Sequence, residues 1–194
     1  MKEKKLTSRQ IQAQKSRQKI YDTAVALINE IGIENFTIND ICNDLHISVG
    51  AFYHYFKSKD ELINTIYSSA DNSFFRRFSK NDNDDPFQTI VDYYNWYAEY
   101  NESLGVEFCK EFYHGKNTSI HSFQRKNIDF ILSQCKAFVE RNEIGQYSGE
   151  LLYSMLSTIA RGVIFDWSIS EGGFSLTERM DQMMSIFLTG VRKQ

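Results

Sequence analysis

Tyr53, His54, Tyr55 and Lys59 lie within one seven-residue stretch. Together they offer two phenols, an imidazole and an ammonium. Such groups exchange hydrogen bonds with phosphate oxygens and base edges, and the cation adds charge. Just upstream, Val49, Gly50 and Ala51 are small enough to let a backbone come close to bases, and Ser48 precedes them as a helix cap. Thr37 offers a hydroxyl beside free helix-start amides, a second place for a phosphate. Catalytic and metal chemistry are not indicated. Cys109, His114 and His121 have spacings that match neither a helix face nor a zinc pattern. Asp92, Glu99, Glu107 and Glu111 read as solvated faces or ion pairs, not as an acid–base pair. No phosphate loop and no Gly-x-Gly-x-x-Gly is present in the sequence. No cofactor, metal site or enzymatic activity is therefore expected.

Positioning the polar cluster requires short helices set on a core. Ile20, Ala24, Leu27, Ile28 and Ile31 fall at helical spacing and predict a first amphipathic helix, with Gly32 as its left-handed cap. Thr37 and Asp40 have capping-box spacing at the start of a short second helix, whose apolar face is Ile38, Ile41 and Leu45. His46 and Ile47 form a turn. Ser48 caps a third helix, Val49 to Tyr55, in which Phe52 and Phe56 claim the buried face. Tyr53, His54 and Tyr55 are left to other surfaces. Ser58 and Glu61 start a fourth helix through Leu62, Ile63 and Ile66. A longer helix followed by two short ones and a tight turn is a helix-turn-helix, whose second helix can enter a major groove. Taken alone, the same residues also suit a Tyr-rich packing element.

Composition sets the wider frame. With 194 residues, 42% hydrophobic and 24% charged, the chain is neither disordered nor of low complexity. Its single proline, Pro86, favours long helices over a turn-rich β architecture. The net charge of -3 is unevenly spread. The first twenty residues hold seven Lys/Arg and one acidic residue, whereas residues 63–194 hold thirteen Lys/Arg and seventeen Asp/Glu. A basic arm over residues 1–16 thus precedes a near-neutral head and an acidic body, and permits an anionic partner at the N-terminal end. Apolar runs are too short for a membrane span and no apolar signal core is present, so a cytoplasmic protein without a membrane partner is expected. Cys42, Cys109 and Cys135 read as reduced core thiols.

Past the polar break at Ser79–Asp85, Asp85 and Gln88 have capping-box spacing around Pro86. Helical patterns follow through Tyr93, Trp96, Tyr97 and Tyr100, then Val106 to Tyr113, Phe123 to Val139, Ser148 to Ser170 and Leu176 to Arg192. Tyr93, Trp96, Tyr97, Phe108, Phe112, Tyr113, Phe130, Phe165 and Trp167 exceed what a minimal helical core needs. Each one suits ordinary packing; as a set they suit a cavity for an apolar or aromatic small molecule. The last two helices carry stripes that include Leu156, Ile159, Val163, Met180, Met183 and Phe187, and Gly162 would admit a close neighbour.

Residues 17–66 resemble the DNA-binding domain of the TetR family of transcriptional regulators. The match runs through Thr37-Ile38-Asn39-Asp40-Ile41, then continuously from Ile47 to Leu62, including Ser48-Val49-Gly50-Ala51-Phe52-Tyr53-His54-Tyr55-Phe56 and Lys57-Ser58-Lys59-Asp60-Glu61. The resemblance implies that Ser48, Val49, Gly50 and Ala51 face the groove, that Tyr53, His54 and Tyr55 touch phosphates or bases, and that Thr37 and Lys59 hold backbone phosphates. Arg17 would reach a flanking phosphate or minor groove. The implied fold is all-α: a three-helix DNA-binding domain over 17–66 and a helical effector-binding and dimerisation domain over 67–194, about nine helices in all. The implied partners are a palindromic double-stranded operator, a small effector and a second copy of the chain, paired through the last two helices. Symmetric recognition helices would then sit about 34–36 Å apart. Repression is the commonest role in the family; activation, dependence on a protein co-effector, and a helical ligand-binding protein that no longer binds DNA are the alternatives. Bidentate base readers are scarce in the third helix, which holds no Arg, Lys, Asn or Gln. Specificity should therefore rest partly on apolar contacts and DNA shape.

Overall fold

The computed structural model describes residues 7–78, 84–114, 126–142 and 146–192. Among these, all regular structure is helical: α1 (Ser8–Ile31), α2 (Ile38–Asp44), α3 (Val49–Tyr55), α4 (Lys59–Phe78), α5 (Pro86–Leu104), α6 (Val106–His114), α7 (Lys126–Arg141), α8 (Gly149–Ile169) and α9 (Leu176–Arg192). Two compact units divide the chain, Met1–Tyr67 and Ser68–Gln194.

In the first unit, α1 extends well beyond its apolar stripe. Thr7 accepts from the Gln10 amide while the Gln10 side chain accepts from the Thr7 amide, a reciprocal capping box. Residues 8–16, expected to form a basic arm, therefore belong to a helix whose first half is mostly exposed. The core of this unit is Ile20, Ala24 and Ile28 from α1, with Phe36, Ile41, Phe52, Phe56, Leu62 and Ile66. Gly32 has positive φ as expected, but its ψ of 155° lies outside the left-handed helical region. The tight turn after α2 is where that region is used. His46 has φ 52°, the Ile47 amide donates to the Cys42 carbonyl at 2.9 Å, and the His46 amide donates to that of Asn43 at 3.3 Å. This is the Schellman pattern with His in the place glycine usually takes.

In the second unit, α5 packs against α7 and α9, and α8 packs against α6, α7 and α9. Asp85 caps α5 by accepting from the Phe87 amide at 3.0 Å, with Pro86 in the first turn. Gln88 does not complete a capping box; its amide donates to Asp92 instead. Ser148 caps α8 and accepts from the Leu151 amide at 3.1 Å. The core joins Ile90, Tyr94 and Trp96 to Ile131, Cys135, Phe138, Leu152, Leu156, Met180 and Met184. The three cysteines are buried and unpaired. Burial pushes the Cys109 and Cys135 thiols up to about 12, so neither is a thiolate nucleophile. Among the described residues no cluster of His, Cys, Asp or Glu could hold a metal ion, and no helix is long and apolar enough to cross a membrane. Phe123 and His121 lie outside the described residues.

Candidate nucleic-acid interface

Two aromatic side chains hold α3 in place from below. Phe52 is fully buried and Phe56, at the helix C-cap, is nearly so. With those residues inward, the opposite side of a two-turn helix must face water. Val49 is 40% exposed and Tyr53, one turn on, is 51% exposed. His54 is exposed and rests edge-on against half-buried Tyr55. Ser48 accepts from the Ala51 amide at 3.1 Å as the cap, which leaves its hydroxyl proton available to donate.

A cleft beside this helix is lined by Glu34, Phe36, Thr37, Ile38, Asn39, Val49, Tyr53 and Lys59. Four residues chosen from sequence for DNA contact, Thr37, Val49, Tyr53 and Lys59, thus share one surface. Its chemistry differs in two ways from the expectation. The Thr37 hydroxyl is not free, because it donates to the Asp40 carboxylate at 2.7 Å and accepts from the Asp40 amide at 3.3 Å. The Thr37 amide donates to the same carboxylate at 2.7 Å. These bonds hold the Asp40 carboxyl below its ordinary range, with Lys59 acting in the same direction. The amides left for an anion are those of Ile38 and Asn39, at the first two positions of α2. Secondly, Lys59 is not a loose cation. It donates to the Phe36 carbonyl at 2.7 Å and stands 4.1 Å over the Phe36 ring.

Arg17 lies elsewhere in the same unit. Its guanidinium covers the Phe56 ring at 4.5 Å and donates to Thr65 Oγ1 at 3.4 Å, so it braces the end of α3 from α1. Gly50 and Ala51 complete the start of α3. A side-chain carbon at Gly50 would meet only Ser48 Oγ at 3.8 Å, so nothing inside the fold demands glycine there. Phe36 was missed by the reading for polar contacts. Its signal was present: it immediately precedes the Thr37 cap, with Ile41 five residues on, the spacing of a hydrophobic staple, and both are buried.

In the second unit, Tyr93 and Trp96 of α5 meet Phe74 and Phe78 of α4 and, through them, Phe130 of α7, with ring centroids 5.0–6.2 Å apart. Tyr97 and Tyr113 share a hydrogen bond of 2.6 Å between hydroxyls, and Tyr113 donates onward to Asn101 Oδ1 at 3.1 Å. Tyr97 therefore supplies the first proton. Phe108 and Trp167 are buried on α6 and α8, and Trp167 borders the Gly172 turn. The side chain of Phe112 is not among those described.

The residues chosen for pairing with a second copy divide. Leu156, Val163 and Met180 point into the core and are closed to any partner. Ile159 and Phe187 are half-buried, while Gly162 and Met183 are exposed. The open apolar side chains are Leu151, Phe165 and Ile169 on α8, and Met183 and Ile186 on α9. Arg179 and Asp166, 4.0 Å apart, join the two faces. Both helices are apolar on more than one side, so spacing alone could not tell the inner stripe from the outer.

Residues 20–66 match the family model described as "Bacterial regulatory proteins, tetR family". Over 192 residues the chain is 25% identical to an HTH-type transcriptional regulator of Staphylococcus aureus (strain bovine RF122 / ET3-1), covering 92% of this chain and 95% of the relative. Among solved structures, the fatty acid degradation regulator FadR from Bacillus halodurans superposes with a TM-score of 0.74 at 18% identity, over 97% of this chain and 99% of that one. FadR from Bacillus subtilis, in complex with stearoyl-CoA, gives a TM-score of 0.70 at 14% identity, over 88% and 96%. At such identities the two structures speak to the fold alone.

Proposed function

We propose that the chain, whose residues 20–66 match the tetR family model, is a TetR-family transcriptional regulator that works as a homodimeric repressor, held on a palindromic operator by α3 and released by a small apolar or aromatic effector. The observation that carries the DNA-binding part is the cleft that gathers Thr37, Val49, Tyr53 and Lys59 beside an α3 whose outer side chains are left open. Lys59 and the α2 amides would take backbone phosphates, and Val49, Gly50, Tyr53 and His54 would face the groove. This intact surface disfavours a ligand-binding protein that has lost DNA. Pairing through the outer faces of α8 and α9 would cover Phe165, Ile169, Met183 and Ile186, which otherwise meet water. Backbones could approach closely at Gly162 and Gly190, where an added side-chain carbon would meet nothing within 4 Å.

Support for an effector comes from the aromatic cluster around Tyr93 and Trp96, with the Tyr97–Tyr113–Asn101 chain as a polar tip beside it. The Bacillus subtilis neighbour carries stearoyl-CoA, so long acyl thioesters belong in any panel of apolar candidates. Release would be a shift of population: an effector that prefers the form whose recognition helices mismatch the half-site spacing draws the dimer off DNA.

The test is a retardation assay with the chain's own upstream DNA at low salt, joined to a thermal-shift screen of acyl thioesters and aromatic compounds. Retardation, and its loss with a compound that raises Tm, is the expected result. Failure to retard at low salt sinks the regulator's DNA-binding role, and a stabilising compound that leaves DNA affinity unchanged sinks effector release.

A further inference from the structure

We infer that Val49 is a specificity-determining residue that reads the C5-methyl group of a thymine in each operator half-site; this rests on the DNA-binding role proposed above. Three features lead to it. First, α3 holds no Arg, Lys, Asn, Gln, Asp or Glu, so it lacks the side chains that make a bidentate bond to a base edge and has no carboxylate to accept from cytosine N4. Secondly, Val49 is 40% exposed, in the same cleft as Lys59 and Tyr53, while Phe52 anchors the helix from the other side. Its two methyl groups face outward with nothing polar to offer. Thirdly, its neighbour Gly50 carries no side chain, and one added there would meet only Ser48 Oγ at 3.8 Å, so this end of α3 can come close to whatever lies opposite.

In a major groove, one base-edge group rewards an aliphatic contact, and that is the thymine methyl. The other edge atoms are hydrogen-bond donors and acceptors, and an isopropyl group pressed on them strands them without partners. Val49 suits the task because a β-branched side chain in a helix keeps essentially one rotamer, so its methyls are already placed before DNA arrives. Tyr53, one turn on, ends in a hydroxyl that needs a hydrogen-bond partner and is less suited to a purely apolar contact.

The experiment starts by selecting duplexes from a random pool with the full-length protein. Each thymidine of the selected half-site is then replaced, one at a time, by deoxyuridine, which differs only in lacking the methyl. For the native protein, one position per half-site should lose about fourfold in affinity, the value of one buried methyl-sized group, and about fifteenfold when both half-sites are changed. Val49→Ala should bind the thymine and uracil duplexes equally at that position, while keeping its Tm and its sensitivity to salt. Deoxyuridine without effect at every position overturns the inference and leaves DNA binding standing. So does a sensitivity that survives in Val49→Ala but vanishes in Tyr53→Ala. If no duplex is enriched at all, the DNA-binding role falls, and this inference with it.

Discussion

Lys59 grips Phe36 at two points: its ammonium donates to the Phe36 carbonyl at 2.7 Å and stands 4.1 Å above the ring of the same residue. Phe36 immediately precedes the cap of α2, and Lys59 is the first residue of α4. One side chain therefore ties together two helix starts through residues that are 23 positions apart in the chain. It also keeps donors to spare, since an ammonium has three and this contact uses one. The same cation can fix the turn and meet a phosphate in the cleft.

Those two duties separate under mutation. Lys59→Met should destabilise the fold by about 1–2 kcal/mol, through loss of a charged hydrogen bond and a cation–π contact. It should also weaken binding to all duplexes alike and flatten the dependence of log K on log salt by about 0.9 per lost phosphate contact. Affinity measured at several salt concentrations checks this. A loss of affinity with an unchanged salt slope would make Lys59 a brace for the turn and nothing more.

Thr37 and Asp40 form the capping box of α2, and its pH behaviour has a definite sign. Bonds from Thr37 favour the ionised carboxylate, so the folded-state pKa lies below the unfolded one. The resulting stability is present above the unfolded value and is lost as pH falls through the folded one, in the acid range below ordinary carboxylate values. Thr37→Ala should cost about 1 kcal/mol as a lost helix cap. It should also return the Asp40 titration, followed by NMR, toward its ordinary value. An Asp40 titration unmoved by Thr37→Ala would show that another group sets it.

Several helix starts could be read directly, because they are written in short-range chemistry. Thr37 with Asp40, Ser48 before Val49, and Asp85 before Pro86 each mark a helix start that the structure keeps. The start of α1 escaped notice for a physical reason. Residues 8–16 are dominated by polar and basic groups, with Ile11 as an exposed exception, so no apolar stripe advertises the helix that the Thr7–Gln10 box begins. The site was legible as a set of residue types. Their commitments were not: Thr37 bound to Asp40, and Lys59 bound to Phe36, are contacts that depend on where the second and fourth helices meet. In the body, spacing found α8 and α9 but not their orientation, since Leu152 and Leu156 on one side are matched by Leu151 and Phe165 on another.

Gly50 offers a clean separation of fold from function. A methyl group there finds ordinary contact distance to Ser48 Oγ and no other obstacle within the protein. Gly50→Ala should therefore fold, and should gain about 0.5–1 kcal/mol from the better helix former. Against DNA the same methyl intrudes where α3 starts. Affinity should fall by about tenfold or more, the scale of an overpacking penalty of about 1–3 kcal/mol. Thermal melts and retardation assays on one preparation give both numbers. Unchanged DNA affinity would remove the start of α3 from the groove.

The assembly is best tested by contrasting Ile186 with Leu156. Ile186 is 70% exposed on α9, whereas Leu156 is fully buried on α8. If α8 and α9 pair with a second copy through their outer faces, Ile186→Glu places a charge in an apolar contact that has no partner for it. The variant should remain folded, sediment as a monomer at concentrations where the native chain is a dimer, and lose most of its operator affinity, because two half-sites are no longer engaged together. Leu156→Ala should do the reverse. It opens a core cavity, at a cost of about 2–5 kcal/mol in stability, and leaves the outer faces able to pair below its lowered Tm. Sedimentation velocity and thermal melts of both variants decide the matter. A dimeric Ile186→Glu would move the pairing surface away from the outer face of α9, since a burial that removes this side chain from water cannot tolerate the carboxylate.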